Sequence, residues 1–370
     1  MLPATHFAPT PCKLSSGTGL GATSLITVTA LSGVSAFVRD RFGERLLRGA
    51  NEAVLLDIEA IEDQDSFIPH LTVTTFGAAV ARLSGDPDFA LLLVPHLTMA
   101  SKGCWATYML AAPTLGQAVE RAIRTIGFHS KGDTMSLAVS GREARISYAS
   151  AAKGQDGYLH VAIGTAGILR NLCEHFLATP LRIEFDVARP QRPDAFEEAF
   201  GCPVVFDAKT VSVCLEAEQL SKRMVRTRRV PDITVADMAR ARVECRTLNR
   251  FRDIILQQIW SQVLSGKVSV EGAACSVDTS VRTLQRELNR EGTNFRDLTN
   301  TLRIKRAAEL LRDTPISVTE ISAILGYSAP AHFARAFRNG TGMSPHQFRA
   351  HHSAWPPRDQ YVTTTGAETA

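Results

Sequence analysis

Long apolar runs are missing from this chain. No window of about 20 residues among its 370 is free of polar interruption, so no bilayer-spanning helix is expected. The mildly apolar stretch at Leu25–Val38 is threaded with Ser, Thr and Gly and has no basic cluster before it, unlike a secretory signal. A cytoplasmic protein is the expectation. Cysteine is sparse and scattered: Cys12, Cys104, Cys173, Cys202, Cys214, Cys245 and Cys275 form no CxxC pair and no Cys/His cluster at ligand spacing. An odd count of isolated thiols argues against a disulfide framework and against a zinc site, so no metal is expected. No glycine-rich loop follows a strand pattern, no nucleophile elbow occurs, and no paired acidic motif is present. Isolated histidines such as His96, His129 and His175 read as structural or surface groups. An enzyme is not expected, and neither is a bound cofactor.

What remains is an ordinary globular composition, 45% apolar and 21% charged, long enough for two or three domains. The net charge of +4 is small, but it is unevenly spread. Lys and Arg number 18 against 23 acidic residues over 1–218, 7 against 3 over 219–245, and 15 against 9 over 246–352. The positive charge sits in the C-terminal third, as either a phosphate-facing surface or a basic solvated face would place it.

Periodicity divides the chain further. Residues 1–20, rich in Pro, Thr, Ser and Gly, read as a loose leader. Over 21–220 the pattern is mixed. Ser32–Arg45, Thr72–Leu83, Thr114–Gly127 and Gly164–Phe176 read as helices. Met135–Val139, Glu143–Tyr148, Leu181–Asp186 and Val211–Leu215 alternate as half-buried strands. This predicts an α+β domain rather than a βαβ series. Residues 221–245 read as a basic connector, 246–352 as an all-α domain, and 353–370 as a disordered tail.

Within 246–352 a pattern occurs twice. A short helix over Val270–Val277, a turn at Asp278-Thr279 and a helix N-capped by Ser280 form the first unit. Leu284 and Leu288 point inward there, leaving Arg282, Gln285 and Arg286 outward. Ser328 stands 48 residues after Ser280. It follows a helix over Val318–Leu325 and a turn at Gly326-Tyr327, and is expected to be the second N-cap. Beyond it Phe333 and Phe337 face inward, and Ala331, His332 and Arg335 outward. Asn294–Leu311 reads as one long helix joining the units, able to set two reading heads about 34 Å apart on one face of DNA. Arg pairs with guanine edges and Gln with adenine, so these faces suit the major groove. Arg303, Lys305 and Arg306, on the long helix, read as surface or phosphate contacts.

The run Ser280-Val-Arg-Thr-Leu-Gln-Arg-Glu-Leu, Ala307-Ala-Glu-Leu-Leu, Ile321-Ser-Ala-Ile-Leu-Gly-Tyr-Ser, Phe333-Ala-Arg-Ala-Phe and Gly340-Thr-Gly-Met-Ser-Pro resembles the DNA-binding domain of the AraC/XylS family of bacterial transcription factors. By that resemblance the groove-reading positions fall on Arg282, Gln285, Arg286, Ala331, His332 and Arg335. There are departures: Asp278 replaces a turn glycine, Val281 replaces a proline, and Gly272 interrupts the first short helix. Upstream, Leu83-Ser-Gly-Asp-Pro-Asp-Phe, Ala112-Pro-Thr-Leu-Gly-Gln-Ala and Phe200-Gly-Cys-Pro-Val-Val-Phe-Asp-Ala resemble the effector domain of the ornithine-utilisation and virulence-regulator subgroup; the likeness lapses at Gly103-Cys-Trp. The resemblance implies a promoter-binding activator, nucleoid-associated when on DNA. Its expected partners are a small-molecule effector, RNA polymerase and a second copy of itself. A ligand-independent dimeric regulator or a repressor is the alternative. No effector contact is legible.

Overall fold

The computed structural model describes residues 24–62, 66–223, 234–235 and 251–352. The leader expected at 1–20, the tail at 353–370 and most of the connector at 221–245 lie outside the described residues.

The N-terminal part opens with β1 (Leu25–Thr27), a 3₁₀ turn over Val28–Leu31, α1 (Val34–Phe42), α2 (Glu44–Val54) and α3 (Ile58–Ile61). Then come β2 (Phe67–Pro69), α4 (His70–Ser84), α5 (Phe89–Leu93), α6 (Gly103–Leu110) and α7 (Leu115–Thr125). It continues through β3 (Ser130–Lys131), β4 (Thr134–Ser140), β5 (Glu143–Ala149) and the long α8 (Tyr158–His175). It closes with β6 (Arg182–Glu184), α9 (Pro193–Phe200), β7 (Val204–Val205) and β8 (Val211–Glu216). The helix expected over Ser32–Arg45 is two helices, parted at Gly43. The one expected from Gly164 begins earlier, at Tyr158, because its first turns, Tyr158-Leu-His-Val-Ala-Ile, are apolar around most of the helix and show no single stripe.

Two sheets result. One runs β2-β1-β3, with Ile26 opposite Ile68 and Leu25 opposite Pro69; the other runs β4-β5-β8-β6-β7, antiparallel except between β6 and β7. A parallel pair needs a crossover, and α9 supplies it, clamped by Phe196 against Phe185 and Phe206 at 5.4 and 5.2 Å between ring centroids. α8 packs on β8, α4 and α5 and buries Ile163, Leu169 and Leu172 at the centre of the main core. Asp133, between β3 and β4, joins the two sheets. It accepts from Tyr148 at 2.5 Å and from the Ala151 N–H at 2.7 Å, and it pairs with His70 at 3.0 Å. Burial works to raise its pKa, but His70, Tyr148 and the Ala151 N–H outweigh burial and bring it down to about 2.

The C-terminal part is helical throughout: α10 (Phe251–Leu264), α11 (Val270–Ser276), α12 (Val281–Arg290), α13 (Phe295–Asp313), α14 (Val318–Ile324), α15 (Pro330–Thr341) and α16 (Pro345–His352). α13, 19 residues and roughly 28 Å long, touches α10, α14, α15 and α16 and is the spine of this part.

The two parts share a wall. Successive side chains of a strand point to opposite faces. Ile26 and Ile68 accordingly enter the main core, while their neighbours Leu25 and Phe67 enter the core built by Ile254, Ile255 and Ile259 of α10. Beside this contact Leu55 ends α2 with φ of 52°, a left-handed backbone that a leucine rarely adopts. A Cβ at Gly272 of α11 would lie 2.9 Å from a Leu55 methyl and 3.0 Å from the Gln262 amide nitrogen. Gly272 therefore leaves room for Leu55, which gives the interruption of that short helix a packing reason.

Candidate nucleic-acid interface and the N-terminal cavity

α11 and α12 form the first unit, α14 and α15 the second. In the first, Asp278 takes φ of 50° at the position where Gly326 of the second takes 72°. The short polar side chain of Asp tolerates this region better than most. Ser280 is the N-cap of α12, its hydroxyl accepting from the Thr283 N–H at 3.1 Å. Leu284 and Leu288 are buried, and Arg282, Gln285 and Arg286 are exposed on the same helix. Arg286 lies 3.2 Å from Glu287, which Arg290 also holds at 2.7 Å. Those two arginines, Arg290 foremost, keep the Glu287 carboxyl below its ordinary range.

The second unit is fastened differently. Ser317 and Glu320 form a reciprocal capping box at the start of α14. The N-cap of α15, however, is Ala329 and not Ser328. Pro330 takes the first helical position, for which its fixed φ is suited, and moves the helix start one residue on. Ser328 instead lies 3.3 Å from the Nδ1 of His332. Phe333 and Phe337 are buried and stack in a row with Tyr327 and Phe348 at 5.3 to 5.7 Å, while Ala331, His332 and Arg335 are exposed.

Of the cations of α13, Arg303 and Arg306 are half-buried while Lys305 is exposed. The Arg303 guanidinium lies 5.1 Å over the Tyr327 ring, Lys305 lies 5.0 Å over Trp260, and Arg306 pairs with Glu309 at 3.0 Å. Burial holds the Arg303 pKa below its usual value. Among the described residues no group of three or more His, Cys, Asp or Glu is placed to hold a metal ion. No helix among them is long and apolar enough to cross a membrane.

A second feature, which sequence reasoning missed, is a cavity of about 130 Å³ inside the N-terminal part. Ile26, Leu31, Phe76, Trp105, Met135 and Leu169 give it an apolar wall. Five polar side chains besides that of Trp105 reach it. Two are engaged within the protein: Tyr148 on Asp133, and His129 on Thr27 at 2.9 Å with its ring stacked on Trp105. The others are Thr165, Lys102 and His160. Lys102 donates to the Ala30 carbonyl at 3.1 Å, and the buried Nδ1 of His160 has no protein partner. The available signal was the place where the resemblance lapsed, since Lys102 directly precedes Gly103-Cys-Trp.

Comparison with known proteins covers both parts of the chain. A family described as "Arabinose-binding domain of AraC transcription regulator, N-term" matches residues 44–224, and a "Helix-turn-helix domain" matches residues 273–351. The ornithine utilization regulator of Pseudomonas aeruginosa is 22% identical over 300 residues, spanning 79% of this chain and 87% of that one. The regulator VqsM of the same organism is 46% identical over 68 residues, 18% of this chain and 21% of its own. The transcriptional activator NphR of Rhodococcus is 31% identical over 108 residues, 29% of this chain and 32% of its own.

Proposed function

Since this chain belongs to the AraC/XylS family of DNA-binding transcription regulators, we propose that it is a small-molecule-responsive activator that binds a two-part promoter site. The observation that carries the reading is the shared wall. Ile26 of β1 lines the cavity and its neighbour Leu25 packs on α10, so a molecule in the cavity presses on a strand that also supports the DNA-binding helices. Occupancy then biases how α11 and α12 are held, which is coupling in the thermodynamic sense.

Arg282, Gln285 and Arg286 read one half of the promoter site, and Ala331, His332 and Arg335 the other. Their exposure and their common face on α12 and on α15 support this assignment. The similarity to an activator supports contact with RNA polymerase. Two such chains acting as a dimer would present four reading helices along the promoter.

The test is a genome-wide map of DNA bound by the intact protein, repeated with Arg335→Ala. The expected result for the native chain is a set of discrete peaks sharing a two-part motif. In the variant, preference at one position of one half should fall by about 1–3 kcal/mol while affinity for unrelated DNA is kept. A uniform loss across all sequences would move Arg335 from base reading to phosphate contact.

A further inference from the structure

We propose that the effector is a compact apolar monocarboxylic acid of about eight non-hydrogen atoms, its carboxylate held by the Lys102 ammonium and its body filling the cavity. The inference rests on the reading of the cavity as the effector site and names the ligand class.

Size comes from volume. About 130 Å³ gives space for about four waters and is close to the size of a cavity that takes up a benzene ring, which matches a compact molecule rather than a nucleotide or a large cofactor. The wall is mostly side-chain carbon, so most of such a molecule must be apolar to displace that water favourably.

Charge comes from Lys102. It is 4% exposed, and one backbone carbonyl, that of Ala30, is its hydrogen-bond acceptor. An ammonium has three donors, so two are left over. Among the described residues no carboxylate lies within ion-pair distance of it; Glu62 acts on it only through space. Glu62 itself is turned toward the start of α1, where it accepts from the Ser35 N–H at 3.4 Å. Burial pushes the Lys102 ammonium down to about 8, as expected of a cation with too little counter-charge. A ligand carboxylate supplies what is missing. A cationic ligand is disfavoured by the same charge, and a neutral one leaves the ammonium as it was.

His160 adds no second charge. Burial holds its imidazole down to about 4, so it is neutral. Its Nδ1 is buried and its ring lies 4.8 Å from that of Phe89, so it extends the uncharged wall beside the ligand.

The structure also supplies a blocking variant. Gly164, on the cavity face of α8, has open space where its Cβ would stand. Leucine is a better helix former than glycine, so Gly164→Leu should fold well and fill the cavity.

The experiment titrates the full chain with hexanoate and, separately, with hexanol, following melting temperature and heat of binding. Hexanoate is expected to bind at least about tenfold more tightly than hexanol. Lys102→Met should remove that preference while still binding hexanol, and Gly164→Leu should abolish binding of both. Equal binding of the two by the native chain overturns the carboxylate assignment and leaves the cavity reading standing. So does an undiminished preference in Lys102→Met. Binding of neither, or full binding by Gly164→Leu, overturns both readings. If Lys102→Met does not fold, the ratio measured on the native chain decides by itself.

Discussion

At Arg286 the outward charge of α12 is already partly engaged, because Glu287 lies 3.2 Å away and Arg290 grips the same carboxylate. On the proposed reading, in which Arg286 contacts DNA, the DNA must compete with Glu287 for that guanidinium. Glu287→Gln is therefore expected to strengthen DNA binding by about two- to fivefold at low salt and to steepen its salt dependence. Fluorescence anisotropy across a salt series would read this, and unchanged affinity would mean the pair dissolves without cost when DNA arrives. Asp133 provides a second case. Its carboxyl is lowered in the fold, so the stability it contributes is present above about pH 4 and is lost as pH falls toward about 2. That contribution is about 2 kcal/mol. Asp133→Asn should lose about that much near neutrality and flatten the acid limb of a denaturation series; an unchanged limb would remove Asp133 as its source. The outward positions on α12 and α15 were legible because inward Leu284, Leu288, Phe333 and Phe337 follow helical spacing. Ser328 was misplaced by one residue, since a serine before a turn is a strong capping signal and Pro330 competed with it locally. Arg303 was read as surface because nothing in its own neighbourhood of sequence announces the Tyr327 ring.

Elements with a strong local period were legible, and those without one were not. α7 declared itself by Leu115, Ala118, Val119 and Ala122, and Thr114 caps it by accepting from the Gln117 N–H. The first turns of α8, Tyr158-Leu-His-Val-Ala-Ile, are apolar around most of the helix and show no single stripe to read. Gly272 shows the same limit from the other side. By helix propensity its replacement with alanine should stabilise α11 by about 1 kcal/mol. Packing reverses the sign: the new Cβ would meet Leu55 and Gln262 at 3.0 Å or less. Gly272→Ala is expected to lower stability by about 1 kcal/mol in the native background. In a Leu55→Ala background part of that loss should vanish, since the methyl contact goes while the Gln262 contact at 3.0 Å stays. Equal losses in both backgrounds, measured by urea unfolding, would show that Gly272 serves something other than this contact.

For the molecule as a whole, composition and charge foretold an α+β part followed by a basic helical part. They did not foretell that Leu25 and Phe67 belong to the core of the second. A strand of three residues is too short to show alternation, and its partner α10 lies more than 180 residues away along the chain. Such a wall makes the two parts energetically dependent. Calorimetry of the full chain is expected to give one unfolding transition, or two separated by only a few degrees, and well-resolved peaks would show that the wall carries little energy. The cavity was equally hidden, because its polar groups Lys102 and His160 sit on α6's approach and on α8, and only the packed core brings them together.

The shared wall also bears on how such a protein could be recombined. A graft that keeps residues 24–223 and takes its reading helices from a relative would cut at the connector, where the seam looks harmless. It would set Leu25, Phe67 and Leu55 against a foreign α10 and against a residue other than glycine at 272. Inheritance of a new operator preference by whole-domain exchange is thus obstructed in this lineage. Changes confined to the exposed faces of α12 and α15 leave the wall intact, so a new promoter is more accessible through single substitutions there than through a transplanted domain.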